Sequence, residues 1–162
     1  MTSALLPDTP SSHGPLMSTQ ATSSPQEATV ALIRAYYDAF NRGDRAGMLA
    51  LLTDDVAHDL NQGARETGRA VFADFMARMD ASYRERLADI VVMASSDGTR
   101  AAAEYTVHGE YLQTDDGLPP ANGQTYVLPG GAFFDIRDDR VARVTNYYNL
   151  QDWITQVHRD PA

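Results

Sequence analysis

Residues 35–56 read A-Y-Y-D-A-F-N-R-G-D-R-A-G-M-L-A-L-L-T-D-D-V, and within them one helix must end, a second must start, and the chain must turn extended. Val30, Ile33, Tyr37 and Phe40 recur at three- and four-residue spacing, which predicts a helix with one buried stripe. Gly43 in N-R-G closes that helix, and Asp44 can cap a shorter one whose apolar face is Met48, Leu49, Leu51 and Leu52. The two form a helical hairpin. Val56 to Asn61 follows as a short strand that ends in Gln62-Gly63.

Upstream, Ser24-Pro25-Gln26-Glu27 carries the signature of a helix start: a serine cap, a proline in the first turn and a glutamate that completes a capping box. Residues 1–23 are rich in Ser, Thr, Pro, Ala and Gln and hold too few large apolar groups to offset the entropy of ordering them. They read as a disordered tail before a domain over 24–158, and Met17 is a second candidate start. Downstream of Gly68, a third helix presents Val71, Phe72, Phe75, Met76 and Met79 on one side.

From Tyr83 the period changes to two. Leu87–Ala94 and Arg100–Gln113 form one hairpin around Ser96-Asp97-Gly98, with Ala101, Ala103, Tyr105, Val107 and Tyr111 on one face of the longer strand. Gln124–Ile136 and Arg140–Leu150 form another, and Gln151–Val157 reads as a short terminal helix. This order predicts an α+β fold: a curved, largely antiparallel sheet packed against three N-terminal helices, cone-shaped and enclosing a pocket.

A net charge of −9 repels phosphate backbones and anionic membranes, so nucleic acid and membrane surfaces are not expected partners. The absence of cysteine removes disulfides, thiolate metal sites and cysteine nucleophiles. No run of apolar residues reaches the roughly 18 needed for a membrane-spanning helix, and the chain reads as cytoplasmic. No H-E-x-x-H, Walker-type, G-x-G-x-x-G or G-x-S-x-G pattern is present, so neither a metal nor an organic cofactor is implied. Gly130-Gly131 reads as a point of strand curvature.

The segments A-Y-Y-D-A-F-N-R-G-D (35–44) and L-A-L-L-T-D-D-V (49–56) resemble the opening of ketosteroid isomerase and of SnoaL-like proteins in the nuclear transport factor two-like superfamily. H-D-L-N-Q-G (58–63), E-T-G (66–68), L-P-G-G-A-F-F (128–134) and T-N-Y-Y-N-L-Q-D-W-I (145–154) are similar to the ketosteroid isomerase-related group. The resemblance covers about residues 25–157 and implies a conical pocket. It places the isomerase's oxyanion-donating tyrosine on Tyr36, its general base on Leu60 between Asp59 and Asn61, and its protonated aspartic acid near Ala132. Two of those three positions depart from the isomerase, so authentic steroid isomerisation is not expected.

The candidate site is read from polar groups set among apolar ones. His58, Asp59 and Asn61 cluster on the short strand, where an imidazole or carboxylate suits general acid–base work on a carbonyl compound. Alternation allows only one of His58 and Asp59 to face the pocket. Tyr36 is the candidate oxyanion donor, helped by Asn146. Asn146 and Tyr148 share a face of the last strand, and with Phe72, Phe134 and Trp153 they are expected to wall the pocket. His108 and Glu110 share a strand face and read as a structural pairing. Two readings stand: an isomerase-, cyclase- or hydratase-type enzyme acting on a steroid- or polyketide-like molecule, or a ligand-binding or dimerisation module without catalysis. In both, a small apolar oxygenated molecule is the partner. The protein is expected to be a homodimer, because three helices cover only one face of the sheet.

Overall fold

In a computed structural model of the chain, which describes residues 23–158, the first helix starts at a reciprocal cap. Ser24 Oγ accepts from the Glu27 amide at 3.2 Å, and the Glu27 carboxylate accepts from the Ser24 amide at 2.8 Å. The unstructured segment expected before it lies, through residue 22, outside the described residues. The elements in order are α1 (Pro25–Asn41), α2 (Arg45–Ala50), β1 (Leu52–Asp59), β2 (Arg65–Thr67) and α3 (Arg69–Ser82). They continue as β3 (Tyr83–Ala94), β4 (Arg100–Tyr111), β5 (Thr125–Arg137), β6 (Arg140–Tyr148) and α4 (Leu150–Val157).

The strands form one open sheet in the order β2-β1-β6-β5-β4-β3. Pairing is antiparallel throughout except between β1 and β6, so the sheet is mixed. The expected α+β architecture, a curved sheet with helices over one face, is the one observed. Helix α1 packs on β3 and α3 on β1. Three side chains tie α1 to the sheet side, the first being Gln26, whose Nε2 donates to the Ala94 carbonyl at 2.8 Å. Thr29 Oγ1 donates to the Gly98 carbonyl at 2.7 Å, and the Asn41 amide bonds both the N–H and the C=O of Leu87, each at 2.9 Å. Gly98 is required at that contact: its φ is +72°, and a Cβ there would stand 2.6 Å from the Pro25 carbonyl oxygen.

Ile33, Tyr36, Tyr37, Leu52, Val56, Phe134, Val141 and Val144 form the centre of the core. Several expectations shift. Leu52 belongs to β1, because α2 ends at Ala50 with Leu51 as its cap, and the Leu51 carbonyl accepts from the Val141 amide at 2.9 Å and draws the next residue into the sheet. Val71 faces out, and only Phe72 and Met76 of the third helix's apolar set are fully buried. Strand β3 begins four residues before Leu87, at Tyr83, where pairing with Tyr111 starts. Strand β2 was not anticipated; its three residues pair with Ala57–Asp59.

The burial difference on α3 and β5 sets a stability test. Phe134→Ala, at a site with no exposure, is expected to cost about 3–5 kcal/mol, whereas Val71→Ala is expected to stay within about 0.5 kcal/mol of the parent. Urea denaturation followed by circular dichroism measures both.

Candidate functional site

The parallel register of β1 on β6 pairs His58 with Val144 and Asp59 with Thr145. Side chains alternate along each strand, so His58, Val144 and Asn146 point to the face that the helices cover, while Asp59 and Thr145 point to the other. His58 is 2% exposed, and its imidazole lies against the rings of Phe72 and Phe75, with centroids 4.7 and 4.5 Å away. Its Nε2 is 3.4 Å from the Asn146 side-chain nitrogen, and its Nδ1 is buried without a hydrogen-bond partner among the described residues. Burial among apolar rings disfavours the imidazolium, and the Asp59 charge across the sheet only partly opposes this, so the pKa falls to about 4. His58 is therefore neutral at ordinary pH.

Asp59, the alternative base from the sequence, is turned away from the cavity by the same alternation. Its carboxylate accepts from Arg65 at 2.6 and 3.1 Å and from Thr145 Oγ1 at 2.7 Å, with Arg143 at 3.8 Å. The hydrogen bonds from Arg65 hold its pKa down to about 2 against some desolvation, so it is a fixed anion in an ion-pair chain on the open face. Arg143 extends that chain to Asp135.

The cavity between helices and sheet has a volume of about 330 Å³, within the range of small-molecule sites. His58, Tyr36, Asn61, Phe72, Asn146, Tyr148 and Trp153 all line it. Tyr36 packs edge-on against Tyr37 and Phe134, and desolvation raises its pKa well above the phenolic range, so its hydroxyl stays protonated. Asn61 Nδ2 donates to the Tyr148 carbonyl at 3.1 Å, which ties the end of β1 to the end of β6. Leu60, where the resemblance puts the isomerase base, also lines the cavity. Phe134 does not. It has no exposure and supports Tyr36 and Tyr37 from behind, because its strand position pairs with Val144 deep in the sheet. Tyr148 is 41% exposed, so its ring stands at the rim.

The sequence reading missed a second polar group of residues. Glu85, Tyr105, Tyr126, Tyr83 and Asp115 also line the cavity, with Tyr126 Oη donating to Glu85 at 2.5 Å and Tyr83 Oη donating to Asp115 at 3.1 Å. The one available signal was glycine inside strands. Gly109 and Gly130 leave room for the rings of Tyr126 and Tyr105, and a Cβ at Gly130 would meet Tyr105 at 2.7 Å. Gly130 thus serves the close packing of Tyr105. His108 and Glu110 lie on the opposite face, where Glu110 pairs with Arg84 at 2.6 Å. Among the described residues no cluster of three or more His, Asp or Glu side chains is placed to hold a metal ion, and no helix is long and apolar enough to cross a membrane.

The SnoaL-like domain family matches residues 33–144. Solved structures are similar over most of the chain. A proposed polyketide cyclase from Xanthomonas campestris pv. campestris is 66% identical over 83% of this chain and 99% of that one, with a TM-score of 0.81. Another from Pseudomonas putida KT2440 is 62% identical over 84% and 99%, with a TM-score of 0.79. An LEH-like epoxide hydrolase of M. tuberculosis, 16% identical over 85% and 90% with a TM-score of 0.69, shares the fold. No curated protein matches.

The buried imidazole gives a pH prediction. The folded-state pKa of His58, about 4, lies below the unfolded value of about 6.5, so the unfolded chain binds the proton more readily between them. The stabilisation from keeping His58 neutral is complete above pH 6.5 and is lost as pH falls through 4, by roughly 3 kcal/mol. NMR titration of the His58 ring protons should give a midpoint near 4, and His58→Phe should flatten the fall in stability between pH 6.5 and 4.

Proposed function

We propose that this chain, which belongs to the SnoaL-like domain family, receives a small apolar, oxygen-bearing molecule of polyketide type in its cavity and transfers a proton on it. The observation that carries this reading is the neutral, buried His58 facing Asn146 against the rings of Phe72 and Phe75. Similarity to proposed polyketide cyclases at 66% and 62% identity supports the substrate class.

The chemistry follows from the donors present. His58 Nε2 is held only loosely by Asn146 at 3.4 Å, so a substrate C–H can displace that contact and pass its proton to the ring. As the carbon gives up the proton, negative charge moves onto the adjacent carbonyl oxygen. Tyr36, kept protonated by desolvation, and the Asn146 amide donate to that oxygen. A base of such low proton affinity matches an acidic carbon, one flanked by two carbonyls as in a polyketide, better than an isolated ketone. Return of the proton to a different carbon, or attack of the carbanion on a second carbonyl, gives isomerisation or cyclisation. Each begins with the same step.

A non-catalytic binding role is the second reading. It is favoured by Leu60 standing where the isomerase resemblance puts the base. The two are separated by identifying a co-purified ligand through native mass spectrometry and following its turnover. His58→Ala is expected to lower kcat about 100-fold with binding retained; unchanged turnover would leave the binding role. A homodimer is also proposed, through the open face of the sheet, where Phe133 and Tyr147 are 48% and 56% exposed and meet edge-to-face with centroids 5.9 Å apart, and where Met93 and Val91 are exposed as well. Light scattering at micromolar concentration should give twice the chain mass, and Phe133→Glu should give the monomer.

A further inference from the structure

Glu85, Gly109 and Tyr126 stand in one row across β3, β4 and β5, Glu85 paired with Gly109 and Gly109 with Tyr126. The Tyr126 ring lies over the gap that Gly109 leaves, where a Cβ would collide with it, and its hydroxyl reaches Glu85 about 10 Å away in strand spacing. This arrangement is built rather than incidental: a tyrosine, an intervening glycine and a carboxylate are all needed, and each sits in register with the next. The bond uses Glu85 Oε1. Among the described residues no donor reaches Oε2, although Glu85 lines the cavity.

Nearby charge is already spoken for. Arg45, which also lines the cavity, is held by Asp80 at 2.9 and 2.6 Å, and the Asp115 carboxylate takes the Tyr83 hydroxyl. The rings of Tyr83, Tyr126 and Trp153 cluster around this end, with Trp153 centroids 6.1 and 5.9 Å from the two tyrosines. Desolvation raises the Glu85 pKa, as expected for a carboxyl facing an apolar chamber. A carboxyl with one lone oxygen among aromatic faces suits a flat apolar ring that carries an O–H donor.

We propose that Glu85, positioned by Tyr126 across Gly109, is a hydroxyl-reading subsite that selects flat-ring ligands carrying a phenolic or enolic hydroxyl. This rests on the reading of the cavity as a ligand site, and deepens it by naming the ligand class. The subsite is distinct from His58, which sits on β1, four strands away in the sheet order.

The test is equilibrium binding, with no turnover involved, so its outcome is separate from that of the proton-transfer reading. Calorimetry compares 2-naphthol with 2-methoxynaphthalene, which has the same rings and no donor. The parent protein is expected to prefer 2-naphthol about tenfold or more, the worth of one hydrogen bond to a carboxylate. Glu85→Gln should bring that preference below about threefold. Equal affinity for the two probes in the parent, binding of neither, or an undiminished preference in Glu85→Gln would each overturn the proposal. If Glu85→Gln does not fold, the parent labelled with ¹³C at glutamate carboxyls serves. One carboxyl resonance should shift with 2-naphthol and stay still with the ether, and no shift with either probe overturns the proposal.

Discussion

The parallel pairing of β1 with β6 is the constraint on which the site depends. It joins the strand leaving the N-terminal helical hairpin to the last strand of the chain, pairs His58 with Val144, and sets Asn146 one step along the same face. A slip of one residue would turn His58 outward and bring Asp59, with its demand for Arg65 and Thr145, under the helices. Thr145 and Arg143 of β6 oppose that slip, because they reach Asp59 in the observed register.

One sheet therefore carries two electrostatic environments. On the open face, Asp59 and Asp135 are ionised and held low by Arg65 and Arg143. On the covered face, removal from water pushes four groups toward their neutral forms: His58 down, Tyr36, Tyr126 and Glu85 up. A chamber walled mainly by apolar side chains favours an uncharged, oxygen-bearing guest and strengthens each hydrogen bond made to it. Such a chamber is also suited to chemistry in which charge appears only during the reaction.

Residue patterns made much of this visible in advance. The Ser24–Glu27 capping box, the N-R-G-D boundary between helices and the change of period at Tyr83 each reflect local energetics that act within a few residues, and the structure keeps all three. Tyr36, Asn61, Asn146 and Tyr148 were legible because a polar group in an apolar pattern is conspicuous. Phe134 was misplaced because a large aromatic residue reads alike whether it walls a cavity or supports the residues that do. Glu85 was missed because its surroundings, Y-R-E-R-L, read as an ordinary charged strand. Nothing local marks one of its charged residues as facing inward.

By itself the sequence determined the order of the longer elements, the α+β class and the face to which each strand residue must alternate, since caps, glycines and hydrophobic period are properties of neighbouring residues. Only the tertiary structure decided between His58 and Asp59, because that choice depends on the parallel register with β6, some 86 residues along the chain. It also decided that Tyr126 meets Glu85, 41 residues away, across a glycine on the strand between them. Strand neighbours distant in sequence are chosen by the packing of the whole sheet, and that choice is what gathers the cavity's polar groups.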